Sequence, residues 1–383
     1  MTRNLCILGS TGSIGKQALD VVDQCGFQVS ALTACRNVDQ IEAQARKYRP
    51  SYAAMSDARA AADLKIRLAD TAITVLSGPE GVRECARLTD ADTVLNAIVG
   101  IAGLEPTLAA VEAGKNVALA NKETLVAGGH IVTRAVREKG VALLPVDSEH
   151  SAIFQSLQGS PGKQAVHKLI LTASGGPFFG KKRDDLKRVT AEQALCHPNW
   201  SMGPKFTVDS ASMMNKGVEL IEAVWLFDMS PDDIEIVIHR ESIVHSLVEY
   251  ADHSVIAQLG LPDMRIPIQY ALTYPQRVES PVGRLSLSQV GTLTFYEPDY
   301  ETFPLMNICR RAIGRGGLDP AYANSANEEA NLLFRQGKIT FMQIADLVAR
   351  AVECAPDCAD YTLQDVLEAD VHARAMVREQ IHS

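Results

Sequence analysis

The carboxylates Asp147 and Glu149, in the stretch "PVDSEHSAIFQ", stand two residues apart where an apolar run, "VALLPV", stops. Unpaired charges at the end of a buried strand are expensive, so this pattern requires something positive beside it. Taken as a continuing strand, positions i and i+2 point to one side. Both carboxylates would then converge at the carboxyl edge of a sheet, where open α/β sheets bind ligands. Two carboxylates without a neighbouring cysteine fit a hard cation, Mg²⁺ or Mn²⁺. His150 falls at the start of the following helix and reads as a structural histidine. A third ligand is wanted. Downstream, Ser212, Asn215, Lys216 and Glu219 fall at i, i+3, i+4 and i+7 of a long helical stretch, "SASMMNKGVELIEAVWLF". Met214, Val218, Ile221 and Trp225 form its apolar face. Such a stripe is either the solvent side of a helix or a set of site residues, and its composition leaves both readings open.

A second group sits at the other end of the chain. "LCILGSTGSIGKQALD" reads as strand, glycine turn and helix, with Gly9, Gly12 and Gly15 spaced three apart. Glycines let the backbone approach a pyrophosphate while the helix N-terminus offers its free N–H groups. Thr11 and Ser13 add hydroxyl donors. The next apolar run, "VSALTACRN", ends in Arg36 and Asn37 rather than the acid typical of an NAD site. A guanidinium there favours the additional 2′-phosphate of NADP.

The elements that must position these groups follow from the periodicity. Residues 1–148 alternate apolar, β-branched runs with amphipathic stretches such as "SIGKQALDVVDQ", the runs ending at about Leu8, Ala34, Met55, Leu76, Val99, Ala120 and Val146. This is the βαβ signature of a Rossmann-like, doubly wound parallel sheet. Residues 149–273 change to an α+β order, in which "IEIVIHRESIVHSLVEYADHSVIAQLG" reads as an antiparallel strand group. Residues 274–300 read as a proline-containing linker, and 301–383 as a bundle of four helices.

A chain of 383 residues with 46% hydrophobic and 22% charged residues is an ordinary globular protein of several domains. Its net charge of −9 argues against a nucleic-acid or anionic-membrane surface. No run reaches the roughly 20 apolar residues that span a bilayer, and there is no secretory leader pattern before the strand-like "NLCILG". Eight scattered cysteines without a CxxC pair point to reduced thiols and a cytoplasmic setting.

"GSTGSIG", "ALANKETLV", "LLPVDSEHSAIFQ", "LTASGGPF" and "HPNWSMGPKFTVDSASMMNKGVELIEA", followed by the helical tail, occur in one order over the whole chain. Together they closely resemble the 1-deoxy-D-xylulose 5-phosphate reductoisomerase family. The resemblance implies metal ligation by Asp147, Glu149 and Glu219, with Lys122, Glu149 and His197 as the catalytic side chains. It implies a substrate phosphate among Ser174, Ser210, Asn215 and Lys216, and substrate hydroxyls near Ser148 and Lys122. The cofactor residues it implies are Thr11, Gly12, Ser13, Ile14, Arg36, Asn37, Asn121, Glu123 and Gly203. Cys35 departs from the family's usual Gly, and Arg36 from its frequent Lys.

Physical chemistry agrees with these placements. "TASGGP" is a glycine loop able to nest an anion. Ser210 is expected near the N-terminus of the long helix, where the dipole favours phosphate. "HPNWSMGP", residues 197–204, reads as part of a lid near 194–204, with Trp200 and Met202 over the substrate. The implied reaction is a rearrangement of a phosphorylated sugar by carbon–carbon cleavage and re-addition, followed by reduction with NADPH. A homodimer is also implied. Two other readings stand beside it: a simple NADP-dependent sugar or semialdehyde dehydrogenase, which needs no carboxylate metal site, and a non-catalytic NADP-sensing regulator.

Overall fold

The structure, a computed structural model, describes residues 3–88, 90–196 and 203–382. His197, Trp200 and Met202 lie outside the described residues. The chain forms two compact units: Met1–Thr124, Val132–Ser151 and Asp263–Gly283 make the first, and Leu125–Ile131, Ala152–Pro262 and Arg284–Ser383 the second.

The first unit is built on seven strands: β1 (Asn4–Leu8), β2 (Gln28–Ala34), β3 (Tyr52–Met55), β4 (Thr74–Ser77), β5 (Thr93–Asn96), β6 (Asn116–Leu119) and β7 (Leu143–Pro145). All pair in parallel, in the order β4-β3-β2-β1-β5-β6-β7. The order reverses between β1 and β5, so the crevice that binds ligands in such sheets opens there. Leu5, Cys6, Ile7 and Leu8 are all fully buried, as expected for a central strand covered on both faces. β5 stops at Asn96, short of the expected Val99, because the Asn96 side chain turns the backbone: its Oδ1 accepts from Ile98 N at 3.1 Å.

The unit boundaries do not follow the sequential cuts expected at 148, 273 and 300. Helix Arg265–Thr273, expected in the central domain, packs on helix Ser13–Cys25 of the nucleotide unit. Arg3 secures this return, donating to Leu272 O at 2.6 Å and also to Tyr274 O. In the other direction, Leu125–Ile131 belongs to the second unit, where Gly129 is so close to Trp225 that a Cβ would lie 2.3 Å from the indole Cδ1.

The second unit holds a sheet of β8 (Val166–Ala173), β9 (Ile234–Ile238), β10 (Val244–Tyr250) and β11 (Val255–Leu259), ordered β11-β10-β8-β9. The expected antiparallel group is only partly realised. β10 pairs antiparallel with β8 and β11, but β9 runs parallel to β8 on its far side. The turn after β9, with Ser242 at φ 52°, carries the chain across β8 instead of folding it back as a hairpin. Helices Leu305–Arg315, Asp319–Arg335, Phe341–Glu353 and Leu363–His382 follow, and the first of them packs against helix Met214–Phe227. Leu171, Leu220, Ile221, Met306 and Val348 are among the buried residues of the shared core.

Candidate active site

At the reversal point of the first sheet, β1 runs into Gly9, which has φ +81°. A Cβ there would stand 2.7 Å from the Ala97 carbonyl oxygen, so only glycine fits between the diverging ends of β1 and β5. Gly9 N donates to Thr33 Oγ1 at 3.0 Å, tying the turn to β2. Helix Ser13–Cys25 starts at Gly12 with no side chain capping it, which leaves its first-turn N–H groups for an anion. Thr11, Ser13 and Ile14 surround this start. Backbone, dipole and room together fit a dinucleotide pyrophosphate.

At the end of β2, the Arg36 side chain is 82% exposed, and its Nε lies 3.1 Å from Asp57 Oδ2. Asn37 caps helix Val38–Tyr48 by accepting from Gln40 N at 3.2 Å. Asn121 caps helix Lys122–Lys139 through Thr124 N at 2.8 Å, while its Nδ2 donates to Ile98 O and Gly100 O at 2.6 and 2.8 Å. It thereby locks the turn after β5 to the turn after β6. Glu123 is buried next to it, its Oε2 accepting from Asn121 Nδ2 at 3.3 Å.

The carboxylates of the opening motif converge for a different reason from strand alternation. β7 ends at Pro145 and helix Ser148–Ser156 begins at once, so Asp147 is its capping residue and Glu149 lies in its first turn. Asp147 Oδ1 accepts from Glu149 N at 3.1 Å and from His150 N at 3.4 Å, and Lys122 Nζ donates to Oδ2 at 2.8 Å. His150, fully buried, places Nδ1 3.1 Å from the same Oδ1. Burial alone would push the Asp147 carboxyl up, but the Lys122 charge and His150 outweigh it and hold it well below the usual carboxylate range. Carboxylate oxygens of Asp147 and Glu149 come within 4.8 Å of each other. Ser148 Oγ donates to Glu149 Oε2 at 2.8 Å. An oxygen-only set of this kind fits a hard cation.

In the second unit, β8 ends in a loop, Ser174–Gly175–Gly176, in which Gly176 N donates to Ser174 Oγ at 3.2 Å. Gly175 and Gly176 have φ +75° and +64°, and a Cβ on Gly176 would lie 2.7 Å from Ser210 O. The glycine is therefore what seats this loop on the Ser210 backbone.

The expected single long helix is two. Pro204–Ala211 and Met214–Phe227 are separated by Met213 at φ 62°, and Ser212 leaves the stripe to accept from Met214 N at 3.4 Å. Ser210 consequently lies at the C-terminal end of the first helix, not at a helix N-terminus. The dipole argument passes to Asn215 and Lys216, which lie in the first turn of the second helix. Both donate to the Glu219 carboxylate. Lys216 and Glu219 are 5% and 1% exposed, which rules out a solvent face for this stripe. Gly203 starts the first helix without a side-chain cap.

Sequence reasoning passed over Arg240, which lies directly after β9 and donates to the Ser174 and Gly176 carbonyls. Its only sequence signal is a charged residue in the tight turn "HRES".

Comparison with known proteins places these features in a family. Models described as 1-deoxy-D-xylulose 5-phosphate reductoisomerase, its C-terminal domain and the DXP reductoisomerase C-terminal domain match residues 5–129, 143–227 and 259–376. The chain is 50% identical to the 1-deoxy-D-xylulose 5-phosphate reductoisomerase of Acetivibrio thermocellus, covering 99% of each chain. It is 51% identical to that of Caldanaerobacter subterraneus subsp. tengcongensis, covering 98% of each. A Zymomonas mobilis reductoisomerase in complex with NADPH superposes with TM-score 0.94 at 41% identity over 100% of both chains. A DOX-P reductoisomerase in complex with NADPH, fosmidomycin and magnesium gives 0.95 at 40% identity over 99% and 98%.

Proposed function

This chain belongs to the 1-deoxy-D-xylulose 5-phosphate reductoisomerase family, and from that premise we infer what its residues do. It is an NADPH- and Mg²⁺-dependent enzyme that rearranges and reduces 1-deoxy-D-xylulose 5-phosphate to 2-C-methyl-D-erythritol 4-phosphate, a step of non-mevalonate isoprenoid synthesis. The observation that carries this is similarity along the entire chain at about half identity.

The assignment of residues is our proposal. Asp147, Glu149 and Glu219 hold the divalent cation, and Mn²⁺ is expected to replace Mg²⁺ because all donors are carboxylate oxygens. When bound, the cation stabilises negative charge on substrate oxygens and polarises the carbonyl, while NADPH supplies the hydride. Lys122 donates to Asp147 and Lys216 to Glu219, so both carboxylates are paired. Ser148 and Lys122 face the substrate hydroxyls, and Ser174, Ser210, Asn215 and Lys216 take its phosphate. His197 stands beside the substrate, and Trp200 and Met202 close over it to exclude water. Thr11, Gly12, Ser13, Ile14, Asn121, Glu123 and Gly203 seat the cofactor, and Arg36 with Asn37 reads its 2′-phosphate.

We assign the enzyme to the cytoplasm. Its eight cysteines are free thiols, and none of the described helices is long and apolar enough to cross a membrane. A homodimer is expected, with the exposed edge strand β11, bearing Val255 and Ile256 at 49% and 48% exposure, as one face for a second copy.

The test is NADPH oxidation by the purified chain with the phosphorylated substrate. Turnover should require a divalent cation and stop with a chelator. Metal-independent oxidation would favour a simple dehydrogenase, and cofactor binding without turnover a regulator.

A further inference from the structure

We propose that Arg240 is a positioning residue for the substrate phosphate: it sets the shape of the Ser174–Gly176 loop and places a fixed positive charge behind it. β8 and β9 are parallel neighbours whose last pair is Ala173 with Ile238, so both chains turn away at one carboxyl edge. From the turn after β9, Arg240 Nη1 donates to Gly176 O at 2.9 Å and also to Ser174 O. The guanidinium carbon lies 4.9 Å above the Phe179 ring, and that ring packs on Tyr296 with centroids 5.2 Å apart. A cation held between carbonyls and an aromatic face has little freedom.

The loop needs such a partner. Two successive glycines with positive φ follow the end of β8 at Ala173, so the Ser174 and Gly176 carbonyls lie beyond the sheet ladder. One guanidinium nitrogen, Nη1, reaches both of these carbonyls at once. Holding these carbonyls fixes the peptide planes of the loop, and with them the donors an anion would meet. The charge contributes too. A phosphate in a partly desolvated pocket gains from a nearby cation even without touching it. Glu241 is the acidic neighbour that opposes this charge, but its carboxylate is engaged by Thr294, whose Oγ1 donates to it at 2.6 Å.

This rests on the assignment of the phosphate to Ser174, Ser210, Asn215 and Lys216, and the experiment separates the two. Arg240→Met, Arg240→Lys and Ser174→Ala are compared by kcat, KM for the substrate, the inhibition constant of inorganic phosphate against it, and the NADPH dissociation constant. Arg240→Met should raise KM and the phosphate inhibition constant together by roughly 10-fold to 100-fold, the loss expected for charged hydrogen bonds. NADPH affinity should stay within about twofold. Arg240→Lys should recover only part, since an ammonium keeps the charge but not the planar group seated on the Phe179 ring. If Ser174→Ala weakens phosphate while both Arg240 variants behave as wild type, the inference fails and the pocket stands. If none of the three changes phosphate affinity, the pocket assignment fails. Should Arg240→Met not fold, Arg240→Lys decides: a raised KM with intact NADPH binding supports the role, and wild-type constants overturn it.

Discussion

The two glycine turns of this protein, Gly9–Gly12 after β1 and Ser174–Gly176 after β8, solve the same problem with different means. Each lies at the carboxyl end of a strand that has a parallel neighbour, and each needs positive φ. The first works almost without side-chain charge: an uncapped helix start, and Arg36 further out with 82% of its side chain exposed. The second has a side-chain charge bonded to it, Arg240, and its unit also holds the buried pair of Lys216 and Glu219, at 5% and 1% exposure. Backbone dipoles suffice to seat a long cofactor that makes many contacts. A compact phosphorylated substrate that must be held for bond cleavage calls for buried point charges.

If that contrast is right, removing a buried charge must hurt far more than removing an exposed one. Glu219→Gln should have the largest effect, a loss of about a hundredfold or more in activity or a matching rise in the metal required. NADPH affinity, measured by fluorescence, should not change. Activity at unchanged metal concentration would remove Glu219 from the ligand set. Lys216→Met comes next, with KM for the substrate raised roughly 10-fold to 100-fold and turnover lowered less. An unaltered kinetic profile would put the phosphate elsewhere.

At the nucleotide end, Arg36→Glu should weaken NADPH about 10-fold or more while affecting NADH little, since only the 2′-phosphate is misread. Equal loss for both cofactors would break the assignment. The smallest effect is expected at the surface pair of Lys182 and Asp299, 2.8 Å apart. Lys182, with the Thr302 backbone, holds Asp299 down to about 2. A carboxylate depressed on folding stabilises above its ordinary value near 4 and loses that contribution as pH falls toward the folded value. Wild type should therefore exceed Asp299→Asn in thermal midpoint at neutral pH, by about 1 kcal/mol or less in stability. The gap should close between about pH 4 and pH 2, and a gap constant with pH would show the ion pair to be irrelevant.

The nucleotide unit was legible because its signals are local: strand ends at Leu8, Ala34 and Met55 are marked by a change of period, and the first also by Gly9. In the second unit the sequence offers candidate residues by type, but the geometry around them was not legible. Nothing local in "SASMMNKG" announces that Met213 takes a left-handed conformation, since methionine has no preference for it. Hence the broken helix, the displaced Ser212 and the reversed end at Ser210 escaped the pattern. Asp147 and Glu149 converge through a helix start rather than a strand, because three residues of β7 are too few to show a period. The parallel placement of β9 and the return of helix Arg265–Thr273 are long-range choices made by packing.

That return has a bearing on how the protein is made. The chain passes between its units after residues 124, 131, 151, 262 and 283, so neither unit is one uninterrupted stretch. During synthesis all seven strands of the nucleotide unit leave the ribosome well before Arg265–Thr273 does, the helix that covers Ser13–Cys25. Domains generally fold as units while the chain emerges. Here the first-made domain must wait, its apolar helix face uncovered, until most of the second has been translated.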